Sequence, residues 1–175
     1  MGVGSDSAIR RAHPVLFGSI VLFSLIEMCI SAWLTARYNS RHDYPFGAVR
    51  TRVRYILFCS IWTALVGAIF MILFLVTSAG SIMTSVAANF IFLAITFILW
   101  IAAAAAITES LGGGLSCSHQ NFFAYCGQIN AVEGFAWLIW ILVTITLIMV
   151  IIRGIAAARS GAGYGGGLVG NDNNA

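Results

Sequence analysis

One carboxylate, Glu27, lies near the middle of the first long apolar run of a 175-residue chain whose other acids all stand outside such runs or at their ends. In a hydrocarbon layer an ionised acid costs a few kcal/mol on insertion scales, so Glu27 must face protein or carry its proton. In a transport path it would move a proton or coordinate an ion. In a packed bundle it would be a neutral, hydrogen-bonded acid that specifies how helices meet. Packing is favoured, because a transport path wants a relay and no second acid or histidine lies at that depth in the other three runs. No proline interrupts those runs and no internal repeat is visible, so the broken helices that transporters use at their binding sites are missing as well.

Cys117 and Cys126 stand in the polar stretch CSHQNFFAYC, and a pair so placed is most economically read as a disulfide formed in an oxidising compartment. Two free thiols are the alternative. A zinc site on Cys117, His119 and Cys126 wants a fourth ligand at a recognised spacing, which the sequence does not offer. Cys29 and Cys59 fall inside apolar runs, where cysteine behaves as a small apolar residue. Among the charges, Glu109 ends the third run and Glu133 begins the fourth, on the face from which Arg52 and Arg54 enter the second. A pair such as Arg54 with Glu133 therefore becomes available when the helices pack, and would fix their assembly. Arg37, Arg41, Arg50 and Arg52 are candidates to hold anionic lipid headgroups or acidic wall polymers, with a solvated charged face as the plainer reading. A loop outside the cytoplasm gives no reason to expect nucleic acid. No nucleotide loop, nucleophile–base pair or metal-ligand cluster appears, so nothing supports catalysis, a cofactor or a small-molecule substrate.

The elements that must position these residues are four apolar runs, 14–36, 55–77, 86–108 and 131–152. A helix needs about 20 such residues to cross the hydrocarbon core, and each run is long enough. Composition agrees: 60% of residues are hydrophobic and 9% charged, against about a quarter charged in soluble domains. Mean hydropathy is +0.94. The connections 37–54 and 109–130 have no apolar periodicity with which to bury a core of their own. The first run is too long for a signal-peptide core and is expected to stay as an anchor. Residues 1–13 then form a cytosolic segment, 14–152 the membrane domain and 153–175 a flexible Gly-rich cytosolic tail.

Four spans place both termini and the turn Ser78–Ser85 on one face. Orientation is not settled by charge, because four arginines flank the termini and five lie in or beside the first loop. The cysteine pair breaks the tie and sets both termini in the cytosol, on the plasma membrane or secretory vesicles. MGVGSD departs from the myristoylation pattern at Asp6, and no Asn-x-Ser/Thr sequon occurs. Trp33, Tyr38, Tyr55 and Trp137 gather at the outer interface as ordinary aromatic anchors, and Phe90, Phe92 and Phe97 meet lipid or a neighbouring subunit, with lipid the default.

Within the spans, Ser24, Glu27, Ser31 and Thr35 recur three and four residues apart and so share one helix face. Ser60, Thr63, Ala64 and Gly67 do the same on the second span, and Asn89, Thr96 and Ala103 follow at seven-residue steps on the third. Small, weakly polar seams let helix backbones approach and hydrogen-bond across an interface. The expected fold is an all-α, left-handed antiparallel bundle of four transmembrane helices.

Two stretches carry a resemblance: RVRYILFCSIWTAL at 52–65, an arginine-led start to the second span with an aromatic and a Trp inside, and CGQINAVEGFAWLIWILVTITLIMVI at 126–151. The second resembles the Cys, then Ala-x-Glu-x-Phe-Ala-Trp, opening of a fourth span in fungal members of the MARVEL domain. That domain is the tetraspan module of myelin-and-lymphocyte, physin and occludin proteins, and the likeness covers residues 10–155. It implies a non-enzymatic protein with cytosolic termini that self-associates, organises sterol-rich membrane, shapes curved membrane and supports vesicle traffic. A small channel or proton-coupled transporter using Glu27 is the alternative.

Overall fold

A computed structural model of the chain describes residues 3–42, 44–76, 86–117 and 123–159, with side chains described for 14–42, 44–73, 87–117 and 123–156. All regular structure among them is helical: α1 Val3–Arg41, α2 Gly47–Val76, α3 Val86–Leu111 and α4 Cys126–Arg159. In lipid a backbone must satisfy its own polar groups, which leaves the helix as the form open to an apolar segment of this length. Even α3, with 26 residues, extends about 39 Å at 1.5 Å per residue. That exceeds the roughly 30 Å of a hydrocarbon core.

Six of the eight helix ends lie outside the hydropathy boundaries, while those at Val76 and Val86 agree with them to within one residue. The first connection is not 37–54 but only 42–46, since Arg37 and Arg41 belong to the end of α1 and Arg50, Arg52 and Arg54 to the start of α2. Backbone hydrogen bonding continues past the apolar run because long arginine stems can lie along a helix while their heads reach water. His42 then stops α1 in the left-handed region, φ 56°, with its N–H donating to the carbonyl of Tyr38 at 3.2 Å. Gly112–Gly114 begins with a helix cap. Gly112 and Gly113 have φ of 72° and 99°, and the Gly113 N–H donates to the Thr108 carbonyl at 3.1 Å. This is the 6→1 bond of a Schellman ending, for which glycine is the unstrained residue. At the termini, α1 runs back through Pro14 to Val3, so the segment expected ahead of the first span continues that helix. Helix α4 likewise carries on through 153–159, while the remaining tail, like the turn Ser78–Ser85, lies outside the described residues.

The four helices pack in a ring, α1 against α2 and α4, and α3 against α2 and α4. Successive helices run antiparallel. A Cβ on Gly67 would stand 3.1 Å from Val21 Cγ2, and one on Gly18 would meet Met71 Sδ at 4.0 Å. These two contacts fix the α1–α2 register, and Gly67 makes the close approach possible. All three polar seams turn inward: Ser24, Glu27, Ser31, Ser60, Thr63, Asn89 and Thr96 are buried. Trp100, fully buried on α3, crosses to α2, where its indole N–H donates to Thr63 Oγ1 at 2.9 Å. Leu22, Phe58, Leu65, Ile91, Ile98 and Ile148 are among the large apolar side chains that face out. Such a perimeter is what lipid tails solvate.

Candidate functional site

The polar groups fall into an interior seam and a charged rim at the end where α1 turns into α2. In the interior, Glu27 has no exposed surface, and neither carboxyl oxygen has a hydrogen-bond partner among the described residues. The expected hydrogen-bonded acid is therefore not what the structure shows. Ser60 and Thr63, which the α1–α2 register sets at the level of Glu27, donate instead to the carbonyls of Ile56 and Cys59, at 2.8 Å each. Ser31 likewise bonds the backbone carbonyl of Glu27, at 2.7 Å, leaving the carboxyl group alone. A hydroxyl on a helix finds its own i−4 carbonyl first, and that local bond outcompetes a longer reach across the bundle.

Glu133 is also buried, at 8% exposure, but it is served. Thr108 Oγ1 donates to Glu133 Oε1 at 2.7 Å and in turn accepts the Trp137 indole N–H at 3.0 Å, a relay that ties α3 to α4. Arg54 does not reach Glu133. Its Nη2 donates to Asn39 Oδ1 at 2.6 Å, while the carboxylate that an arginine of α2 does reach is Glu109, paired with Arg52 at 3.0 Å. The swap follows from the packing: α2 meets α3 at this end, whereas Glu133 lies on α4, for which α2 is not a principal neighbour. With 77% of the Glu109 side chain exposed, the Arg52 pair contributes at most about 1 kcal/mol.

The remaining rim arginines have no carboxylate partner among the described residues. Arg50 Nη2 donates to the same Asn39 Oδ1, at 2.8 Å, and its guanidinium lies 5.2 Å from the Tyr44 ring centroid. Arg37 lies 5.2 Å over Trp33. Arg41 is exposed in the last turn of α1. The rings beneath them form a cluster, with Trp33 edge-on to Tyr125 at 5.0 Å, Tyr38 against Tyr44 at 6.4 Å and Phe46 against Phe123 at 6.5 Å. It joins the α1–α2 turn to the loop before α4. Cys117 and Cys126 are linked by a disulfide in that loop, with Cα atoms 5.8 Å apart. Both sulfurs are thereby spent, and His119, the third member of the zinc reading, lies outside the described residues.

Two asparagines went unnoticed in the sequence. Asn39 is the shared acceptor of two arginines. Asn130 takes the Leu115 N–H at 2.9 Å and returns its own N–H to the Leu115 carbonyl at 2.7 Å, pinning the loop to α4. At the opposite end, α3 and α4 leave an apolar groove of about 330 Å³ lined by Ala87, Phe90, Ile91, Val150, Ile151 and Gly154, among others.

No curated protein and no solved structure matches this chain. A family does: residues 8–149 match the model described as MARVEL, membrane-associating domain. That span takes in three of the four membrane-length helices among the described residues and most of the fourth, together with the inward seams and the rim. By extent of match and by architecture alike, the chain belongs to the MARVEL family.

Proposed function

We propose that this protein is a non-enzymatic membrane organiser that self-associates within the bilayer, gathers or curves the lipid around it, and works in vesicle traffic or at sterol-rich patches. The observation that carries the reading is the division of its surface. Every seam with hydrogen-bonding capacity faces the bundle interior, and the perimeter offers lipid little but aliphatic and aromatic side chains. A surface of that kind acts on its surroundings through packing and shape. Both termini belong in the cytosol on this reading, since the disulfide end requires an oxidising compartment. The test is reconstitution of fluorescently labelled protein into giant vesicles of phosphatidylcholine with and without sterol. Energy transfer between copies and enrichment of protein on narrow tubes are the expected results; a monomer indifferent to curvature and to sterol overturns the proposal.

One observation favours a second reading, a proton or ion path: the Glu27 carboxyl oxygens have no partner among the described residues. Flux into pH- or ion-reporting liposomes decides between them. Transport abolished by Glu27→Gln would establish a path, whereas liposomes as tight as protein-free ones leave Glu27 as a packing residue.

A further inference from the structure

Arg50 and Arg54 stand four residues apart on α2 and therefore share a face. Each donates through Nη2 to one atom, Asn39 Oδ1, at 2.8 and 2.6 Å, so the two guanidinium groups are held within a few ångströms of one another. Their common acceptor is neutral. Like charges this close repel by about 1 kcal/mol even in bulk water and by more near a membrane surface, and an amide oxygen does not cancel them. Nor does the rest of the rim. Counting Asp43, Glu109 and the buried Glu133 against Arg37, Arg41, Arg50, Arg52 and Arg54 still leaves two positive charges unbalanced. A guanidinium has five N–H donors, and these two have spent one each on Asn39.

What lies along the helix from this pair identifies the missing anion. Arg54, Phe58, Ile61 and Leu65 are spaced four, three and four apart, one stripe on α2, and the three apolar members are exposed by 53%, 40% and 63%. On α1, Ala36 and Ala32 continue the Asn39 face, both small and both exposed. Exposed large apolar side chains on α2 thus continue the line of the arginines beside small exposed ones on α1. From Arg54 to Leu65 the stripe extends about 16 Å, which matches half of a 30 Å hydrocarbon core, the depth of one leaflet. A free phosphate has no use for such a stripe, but a lipid has.

We propose that Arg50 and Arg54, positioned by Asn39, form a headgroup clamp for one anionic phospholipid, whose acyl chain lies along Phe58, Ile61 and Leu65 between α2 and the alanine face of α1. The two planar guanidiniums hold the phosphate oxygens as forks. Arg52, engaged by Glu109, is no part of the clamp, and Arg37 and Arg41 lie on the other flank of α1. The site depends on the membrane-organising reading only in needing a bilayer around the chain.

The test is native mass spectrometry of the full-length protein released from bilayers of phosphatidylcholine containing phosphatidylglycerol. The wild type is expected to retain one phosphatidylglycerol in preference to phosphatidylcholine. The double variant Arg50→Gln, Arg54→Gln should reduce that retention about tenfold or more, while Arg52→Gln leaves it unchanged. Asn39→Ala separates the clamp from a merely structural role: the clamp still binds lipid without its positioning amide, more weakly. Should the glutamine pair fail to fold, Arg50→Lys with Arg54→Lys keeps the charge but loses the forks, and reduced retention is again expected. Equal retention in wild type and double variant overturns the proposal, as does displacement of the lipid by equimolar inorganic phosphate. Clustering in giant vesicles is read separately, so loss of the clamp and loss of membrane organisation are distinguishable.

Discussion

The buried acids show how differently two similar residues can be used. Glu133 sits in a chain of hydrogen bonds from Trp137 through Thr108, whereas Glu27 has none. Removing Glu133 as alanine leaves the Thr108 hydroxyl without its acceptor and opens a void between α3 and α4, at a cost of about 1–3 kcal/mol. Glutamine keeps an acceptor oxygen at that position. Thermal unfolding in detergent should therefore show Glu133→Ala clearly below the wild type and Glu133→Gln close to it; an unshifted alanine variant would remove the relay from the account. The buried face of Glu27 was legible from spacing alone, because Ser24 and Ser31 lie three and four residues away on the same helix. Asn39 was not. Its partners are 11 and 15 residues downstream on another helix, and only the true length of the turn between them brings the three together.

At the scale of the helices, hydropathy located each element, placed the two ends beside the turn Ser78–Ser85 to within one residue, and misplaced the other six. It registers where side chains suit hydrocarbon, and a helix continues for as long as backbone bonds and caps permit. That is why a supposed eighteen-residue loop contracts to 42–46, and why α3 runs on past its apolar stretch to a stop at Gly112 and Gly113. The packing between helices was more readable, since the seam through Ser60, Thr63, Ala64 and Gly67 names the face of α2 that meets α1. Gly67 is its tightest point. Gly67→Leu has no room against Val21 and should force the pair apart, costing about 1–3 kcal/mol by the usual penalty for overpacking. A cysteine pair introduced across the α1–α2 seam would report the separation by slower crosslinking; unchanged crosslinking and melting would contradict the close approach.

As a whole molecule, the bundle is fastened, among the described residues, at the end where α1 turns into α2. The ring cluster binds the turn after α1 to the loop before α4, while the disulfide and the Asn130–Leu115 pair hold that loop against the start of α4. Reduction should therefore leave helix content by circular dichroism almost unchanged, while a loop closed over nine residues regains conformational freedom worth about 2–3 kcal/mol in the chain-entropy picture. Protease cutting between Gly112 and Tyr125 should speed up severalfold on reduction, read as two fragments on a gel. Equal cutting before and after would mean that asparagine and aromatic contacts suffice.

The brevity of the α1–α2 turn bears on biogenesis. Residues 42–46 give a growing polypeptide almost no slack, so once the leading rod is committed to the bilayer the second must enter beside it, as one hairpin. With both termini in the cytosol, as proposed, arginines on both stems would cross the hydrophobic barrier together, with Asn39 already available to Arg50 and Arg54 as they emerge. On that orientation the first hairpin carries five of the nine arginines across the bilayer, so its insertion is the step most sensitive to charge.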